Sequence, residues 1–217
     1  MVNATNLVSA VNLTPVDTNG KRPSGRHHGD LPRVLESAAM ELVGEKGLAG
    51  FTLAEVSRRA GVSVAAPYKH FADRDALLAT LVLRSYEEQR KRYRAAMARA
   101  ADPTEKLAAF ASAYVRFAVD ERPLFELTFA AGLDKRTRPE LAEAGAALLG
   151  LLEAPAKAIS GDDQRAHLLV LAVAACAHGH AVFVLEGVLD DHRNPVRQAR
   201  QQAASAARVL AAAHAAL

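Results

Sequence analysis

Two groups of side chains in this sequence have the types and spacing to do chemistry. The first is Tyr68, Lys69 and His70, a polar run that closes the stretch from Thr52 to Phe71, TLAEVSRRAGVSVAAPYKHF. The second is His178 with His180 and Glu186. A helical metal site needs ligands at i and i+3 or i+4, and His178 with His180 misses that spacing. Glu186 lies near two turns beyond His178 on the same face, but no nucleophile–base pair, phosphate loop or nucleotide fingerprint accompanies it. A His-dependent enzyme is the remote alternative, which turnover abolished by His178→Ala would revive; neither a metal nor a cofactor is expected. The first group suits docking onto another molecule, and DNA is the candidate its surroundings suggest.

Those surroundings must hold the three side chains in place. Thr52 can cap a helix with its hydroxyl while Glu55 reaches back to the Thr52 amide, the reciprocal pattern of a capping box. Leu53, Val56 and Ala60 then share one face, and Gly61 sits where a chain leaving a helix needs positive φ. Ser63 is again a good N-cap, which predicts a second helix from Val64 to His70 after a turn of helix-turn-helix dimension. Val62 plugs the apolar gap between the two, the small Ala65 and Ala66 permit close approach to a neighbour, and Pro67 keeps the second helix short. An αα-hairpin without nucleic acid has the same spacing. A helical interaction module or small-molecule-binding protein that never touches DNA therefore stays open, and heparin and duplex binding at graded salt separates the two readings.

The composition narrows the class. Half of the 217 residues are apolar, aromatics make up only 5%, tryptophan is absent and period-two alternation is nowhere sustained, so an all-α fold is expected. The net charge of +3 is unevenly placed. Residues 21–100 carry 15 Lys and Arg against 9 Asp and Glu, whereas residues 101–217 carry 12 against 14. A basic half joined to a neutral half suits nucleic-acid binding in the first and other work in the second, although modest bias is also found on plain solvated helices. The single cysteine, Cys176, lies in an apolar run and excludes an internal disulfide. With no signal-peptide pattern at the start and a ten-residue apolar run, Leu168 to Ala177, too short for a membrane span, a cytoplasmic protein without membrane contact is expected.

Helix signals divide the chain into about nine helices. Residues 1–25 read as a flexible arm ending in Lys21, Arg22 and then Arg26, His27 and His28; such an arm can reach a DNA groove or remain a plain tail. Asp30 is the predicted cap of a first helix with Leu35, Ala38, Leu42 and Val43 inward and Gly47 at its end. Asp73 caps a long helix whose far half, with Glu87, Glu88, Arg90, Lys91, Arg92 and Arg94, is solvated. Asp102-Pro103 opens the next; Thr137 with Glu140 is a predicted capping box for a helix running to Pro155. Asp162 or Asp163 caps a helix to about Leu189, and Asn194-Pro195 opens the last, with Val196, Ala199, Ala203, Ala206 and Leu210 on one side. The wide apolar surface of these two final helices fits a two-fold dimer interface, or burial within one chain.

Residues 26–83 resemble the N-terminal domain of TetR-family transcriptional regulators. The resemblance is carried by Ala38-Ala39, Gly47, Phe51-Thr52, the Val56, Ala60-Gly61-Val62-Ser63 core, Tyr68, His70-Phe71, and Asp73-Arg74-Asp75 with Leu77-Leu78. It implies a DNA-binding domain over 26–80, an effector-binding and dimerising domain over 81–217, and a homodimer, more often a repressor, on a pseudo-palindromic double-stranded operator. It implies further that Val64, Ala65, Ala66 and Lys69 face the major groove, the first three suited to thymine methyls and Lys69 to guanine. Thr52, Ser63, Tyr68, His70 and Arg74 complete the implied DNA-binding set, largely through phosphate. Arg58 and Arg59 could add phosphate contacts but, facing away from Leu53 and Val56, read as plain surface charges. The stretches YVRFAVDERPLFELTF and AHGHAVFVLEG are similar to the WHG-type regulatory domain, with His178 and Gly179 at the His-Gly pair and no tryptophan upstream. This implies a small apolar effector in a cavity walled by Phe110, Tyr114, Phe117, Phe125, Phe129, His178 and Phe183, although most of these aromatics would equally serve an ordinary core.

Overall fold

A computed structural model describes residues 31–48, 50–134, 136–189 and 193–216, and every regular element among them is helical. The expected arm over 1–25 and the Asp30 cap lie outside the described residues. Helix α1 spans Leu31–Lys46 and α2 spans Leu53–Arg59. They are followed by α3, Arg74–Met97, and α4, Pro103–Asp120. Then come α5, Arg122–Ala130, α6, Pro139–Leu149, and α7, Glu153–Ser160. The chain closes with α8, Asp163–Leu185, and α9, Pro195–Ala215.

The caps read from the sequence are made as short side-chain bonds that satisfy otherwise orphaned amides. Asp73 accepts from the Ala76 amide at 2.7 Å, Asp102 from Glu105 at 3.1 Å, Asp162 from Arg165 at 2.9 Å and Asn194 from Arg197 at 3.0 Å. Two expectations fail. Thr137 caps no helix: its hydroxyl donates to the Asp134 carbonyl at 2.9 Å, and α6 starts at Pro139 without a side-chain cap. The helix expected to run on to Pro155 instead breaks in a 3₁₀ turn at Gly150–Leu152. Pro155 then sits in the first turn of α7, where a residue without an N–H loses no hydrogen bond, so the proline marks a start rather than a stop.

Helix α4 is the axle of the core, packing on α9, α8, α3 and α7. Its Leu107, Phe110, Val115 and Phe117 are fully buried. Helix α9 meets α4 and α8 through Ala199, Ala203, Ala207 and Ala211, a methyl seam that lets backbones approach closely. Helix α3 changes role along its length. Leu77, Leu78, Leu81 and Val82 are buried at its start, whereas further along the buried positions Ser85, Tyr86, Gln89 and Tyr93 alternate with the charged face foreseen from the sequence.

Helix α8 departs from the sequence reading more sharply. At 23 residues, with a mean hydropathy of 2.2 over its most apolar 18-residue window, it is long and apolar enough to cross a membrane, so the ten-residue run understated it. Its buried positions, Ala166, Leu169, Val170, Val173, Ala177 and Ala181, occupy one side only. Leu168, Leu171 and Phe183 stay exposed.

Candidate nucleic-acid interface and ligand site

The Thr52 capping box is closed in both directions: Glu55 accepts from the Thr52 amide at 2.9 Å, and Thr52 Oγ1 accepts from the Glu55 amide at 3.2 Å. Glu55 also takes the Lys46 ammonium at 2.6 Å, tying α2 to α1, and these bonds hold its carboxyl below the ordinary range, the lysine bond contributing most. Arg59 grips Glu45 through two bonds of 2.8 and 2.6 Å and reaches Glu41 at 3.2 Å. Arg59 is thus a brace between α2 and α1. Gly61 has φ +68°, and the Val62 amide bonds the Ser57 carbonyl at 3.0 Å, which turns the chain sharply after α2.

The second helix of the pair is shorter than the Val64 to His70 expectation. Ser63 enters through its carbonyl, accepting from the Ala66 amide at 2.9 Å, and the only helical turn is the 3₁₀ segment Pro67–Lys69. The cause is Pro67. Lacking an N–H, it cannot continue a ladder from Ser63, so the turn closes through Lys69 and His70 amides onto the Ala66 and Pro67 carbonyls at 3.3 and 2.9 Å. Pro67 and Phe71, one turn apart, are buried and pin the segment to the core. Their neighbours Ser63, Val64, Ala65, Tyr68, Lys69 and His70 are exposed, with Val64 at 59% and Tyr68 at 58%, and Ala66 is half-buried. Seven of the nine residues proposed for DNA contact therefore form one surface. Thr52 is exposed at the α2 cap. Arg74 is spent differently: its guanidinium donates to the Leu48 and Phe51 carbonyls and lies 4.8 Å over the Phe51 ring.

In the rest of the chain the seven proposed effector residues separate. Phe110 and Phe117 are fully buried against Tyr93, at ring distances of 5.0 and 6.2 Å, and serve the core. Tyr114, Phe125, Phe129 and His178 form a continuous group in which His178 lies 6.1, 5.7 and 4.7 Å from the three rings in that order. The Tyr114 hydroxyl and His178 Nδ1 are 3.0 Å apart. Burial pushes the Tyr114 phenol well up and the His178 imidazole down, so both are uncharged near neutrality. Phe129 is 56% exposed and borders a 140 Å³ pocket with Val82, Thr128, Gly132, Leu133 and Leu141. Phe183 stands apart. Five residues beyond His178, it is rotated about 140° around α8 and is half exposed.

A second feature of this region escaped the sequence reading. Ser85, Gln89, Tyr93 and Thr128 form a buried polar network in which Ser85 Oγ lies 2.8 Å from Thr128 Oγ1 and donates toward the Leu124 carbonyl at 2.9 Å. Gln89 Nε2 donates to Ser85 at 3.1 Å and Gln89 Oε1 accepts from Tyr93 at 3.2 Å. The available signal was the four-residue spacing of Ser85, Gln89 and Tyr93 on the apolar face of α3. His180, meanwhile, turns its Nδ1 to the Cys176 carbonyl at 2.8 Å, and no three His, Cys, Asp or Glu side chains among the described residues could hold a metal.

The comparisons with known proteins align with this geometry. Residues 35–81 match the family model for bacterial regulatory proteins of the tetR family, and residues 107–211 match a tetracyclin repressor-like C-terminal domain. The HTH-type transcriptional regulator BetI of Agrobacterium fabrum is 32% identical over 89 residues, 41% of this chain and 42% of BetI, so the match spans less than half of that protein. A structure of a protein with unknown function from a Rhodococcus species is 30% identical, covering 89% of this chain and 98% of that one at a TM-score of 0.71. FadR of Bacillus subtilis, in complex with stearoyl-CoA, shares the fold at 18% identity and a TM-score of 0.66 over 82% of this chain and 96% of its own. With an amino-terminal and a carboxy-terminal family model both matched in order along one all-helical chain, the protein belongs to the TetR family of bacterial regulatory proteins.

Proposed function

We propose that this chain is a ligand-responsive, sequence-specific DNA-binding repressor that acts as a homodimer in the cytoplasm. The observation that carries the reading is the anchoring of Pro67 and Phe71 in the core while Val64, Ala65, Tyr68 and Lys69 face outward. A groove-reading segment needs that inside-out alternation, because its base-facing side chains must be rigidly presented yet unshielded. We assign operator binding to residues 26–80 and effector binding and dimerisation to residues 81–217, a division supported by the amino-terminal match over residues 35–81 and the carboxy-terminal match over residues 107–211.

Dimerisation is supported by the outer side of α8. Leu168 and Leu171 are exposed there, and nothing lies within 4 Å of where a Gly179 Cβ would stand, which leaves room for a second helix to approach. Val209 on α9 is likewise exposed, at 68%. Two copies related by a two-fold axis would cover both faces at once and would set two reading segments on half-sites about one helical turn apart. A small effector would act by favouring one spacing of those segments over the other. FadR of the same fold holds stearoyl-CoA, which supports a small molecule as the signal.

Selection of bound sequences from a random duplex pool tests the reading. It predicts enrichment of an inverted repeat with half-sites about one turn apart. A pool that stays unenriched after repeated selection would contradict it.

A further inference from the structure

Resting on the reading of the α4, α5 and α8 region as the effector site, the chemistry around His178 narrows what that site accepts. Tyr114 is 6% exposed and Phe125 is 3% exposed, so this end of the group is nearly dry. A buried hydroxyl must give its proton to some acceptor or bear the cost of leaving it unpaired. Among the described residues the partner within reach of the Tyr114 O–H is His178 Nδ1, at 3.0 Å. With the tyrosine as donor, Nδ1 accepts, and the ring proton of the neutral imidazole resides on Nε2. No hydrogen-bond partner for Nε2 is found among the described residues, and His178 is only half-buried.

The rings in contact with His178 are Tyr114, Phe125 and Phe129, all uncharged, and Phe129 is the most open of them. We infer that the site selects an uncharged, flat, largely apolar molecule bearing one hydrogen-bond acceptor, such as an aryl ketone, whose oxygen takes the His178 Nε2–H while its ring lies against Phe129. A purely apolar ligand would strand that N–H on excluding water. A carboxylate would be stripped of water with no cation on these rings among the described residues to receive it. Tyr114 is in this scheme a positioning residue: it selects the tautomer that makes the site a donor.

Equilibrium dialysis of the full chain without DNA, against three ligands of matched shape, tests the inference. The ligands are 2-acetylnaphthalene, its hydrocarbon counterpart 2-isopropenylnaphthalene, and 2-naphthoate. The expected result is that the ketone binds about tenfold more tightly than the hydrocarbon and more tightly than the carboxylate. His178→Phe should bring the two neutral ligands to within about twofold while leaving the fold intact. Tyr114→Phe frees Nε2 to become an acceptor and should erode the preference for the ketone while retaining binding of the hydrocarbon. Binding without discrimination, or with 2-naphthoate tightest, overturns this inference and leaves the effector site standing. Failure of all three ligands to bind overturns both. Since DNA is absent throughout, neither outcome depends on operator recognition.

Discussion

The Arg74 guanidinium lies 4.8 Å above the Phe51 ring while its Nε donates to the Phe51 carbonyl at 3.2 Å and its Nη2 to the carbonyl of Leu48. One side chain at the start of α3 thus closes the loop that leads into the Thr52 cap. Sequence resemblance assigned Arg74 to phosphate; in the structure its guanidinium is bonded to its own chain. Arg74→Lys keeps the charge but loses the planar fork, and should cost about 1–2 kcal/mol of stability. Urea unfolding measures this. A lysine variant as stable as the wild type but impaired on DNA would return Arg74 to the phosphate set.

Gln89 is the hub of the polar network beneath the aromatic group, bonded to Ser85, Thr128 and Tyr93. Its removal strands several buried groups, and each unsatisfied donor or acceptor costs about 1–3 kcal/mol. Gln89→Ala should therefore destabilise the protein more than Ser85→Ala. Chemical denaturation of both variants checks the order.

Leu168 and Leu171 lie exposed on α8, the helix on which the dimer proposal rests. Leu171→Glu should shift the protein toward monomer in sedimentation at micromolar concentration without loss of helical circular dichroism. It should also weaken operator binding, because each half-site is then engaged alone. An unaltered sedimentation profile would move the interface elsewhere.

Glu45, Glu55 and Glu105 are held below the ordinary carboxylate range chiefly by hydrogen bonds from Arg59, Lys46 and Arg208 respectively. A carboxyl with a lowered folded-state pKa takes up its proton more readily when unfolded, so its contribution is present at neutral pH and is lost as pH falls below about 4. The melting temperature should decline over that window. Glu45→Gln should flatten the decline while lowering the starting value at pH 7.

Much of this was legible in the residues themselves. Thr52 with Glu55, Asp73, Asp102, Asp162 and Asn194 are local devices whose partners sit three residues on, so no tertiary knowledge was needed to place them. Pro67 was read as shortening its helix, but the Val64 to His70 extent was too long and Pro155 was misread as a stop, for one reason: a missing N–H is compatible with a helix start, a 3₁₀ turn or a stop, and only the neighbouring backbone bonds decide. Thr137 failed because α6 starts one residue later than the pattern required, with Arg138 at the cap position, and the Thr137 hydroxyl turns back to the Asp134 carbonyl. The roles of Arg74 and Arg59 were hidden because their partners, Leu48 and Phe51 for one and Glu41 and Glu45 for the other, are brought near only by the fold. Of the aromatics, sequence spacing put Phe110 and Phe117 on the same helix as Tyr114 but had no means of separating core rings from the open group around His178.

The central claim, that the outward face of residues 63–70 binds duplex DNA, is tested most directly by titrating wild type, Tyr68→Ala and Lys69→Ala against a selected duplex over graded salt. Both variants should bind more weakly than wild type at every salt concentration. For Lys69→Ala the slope of log affinity against log salt should fall by about one. Two variants whose curves overlay that of the wild type would contradict the account.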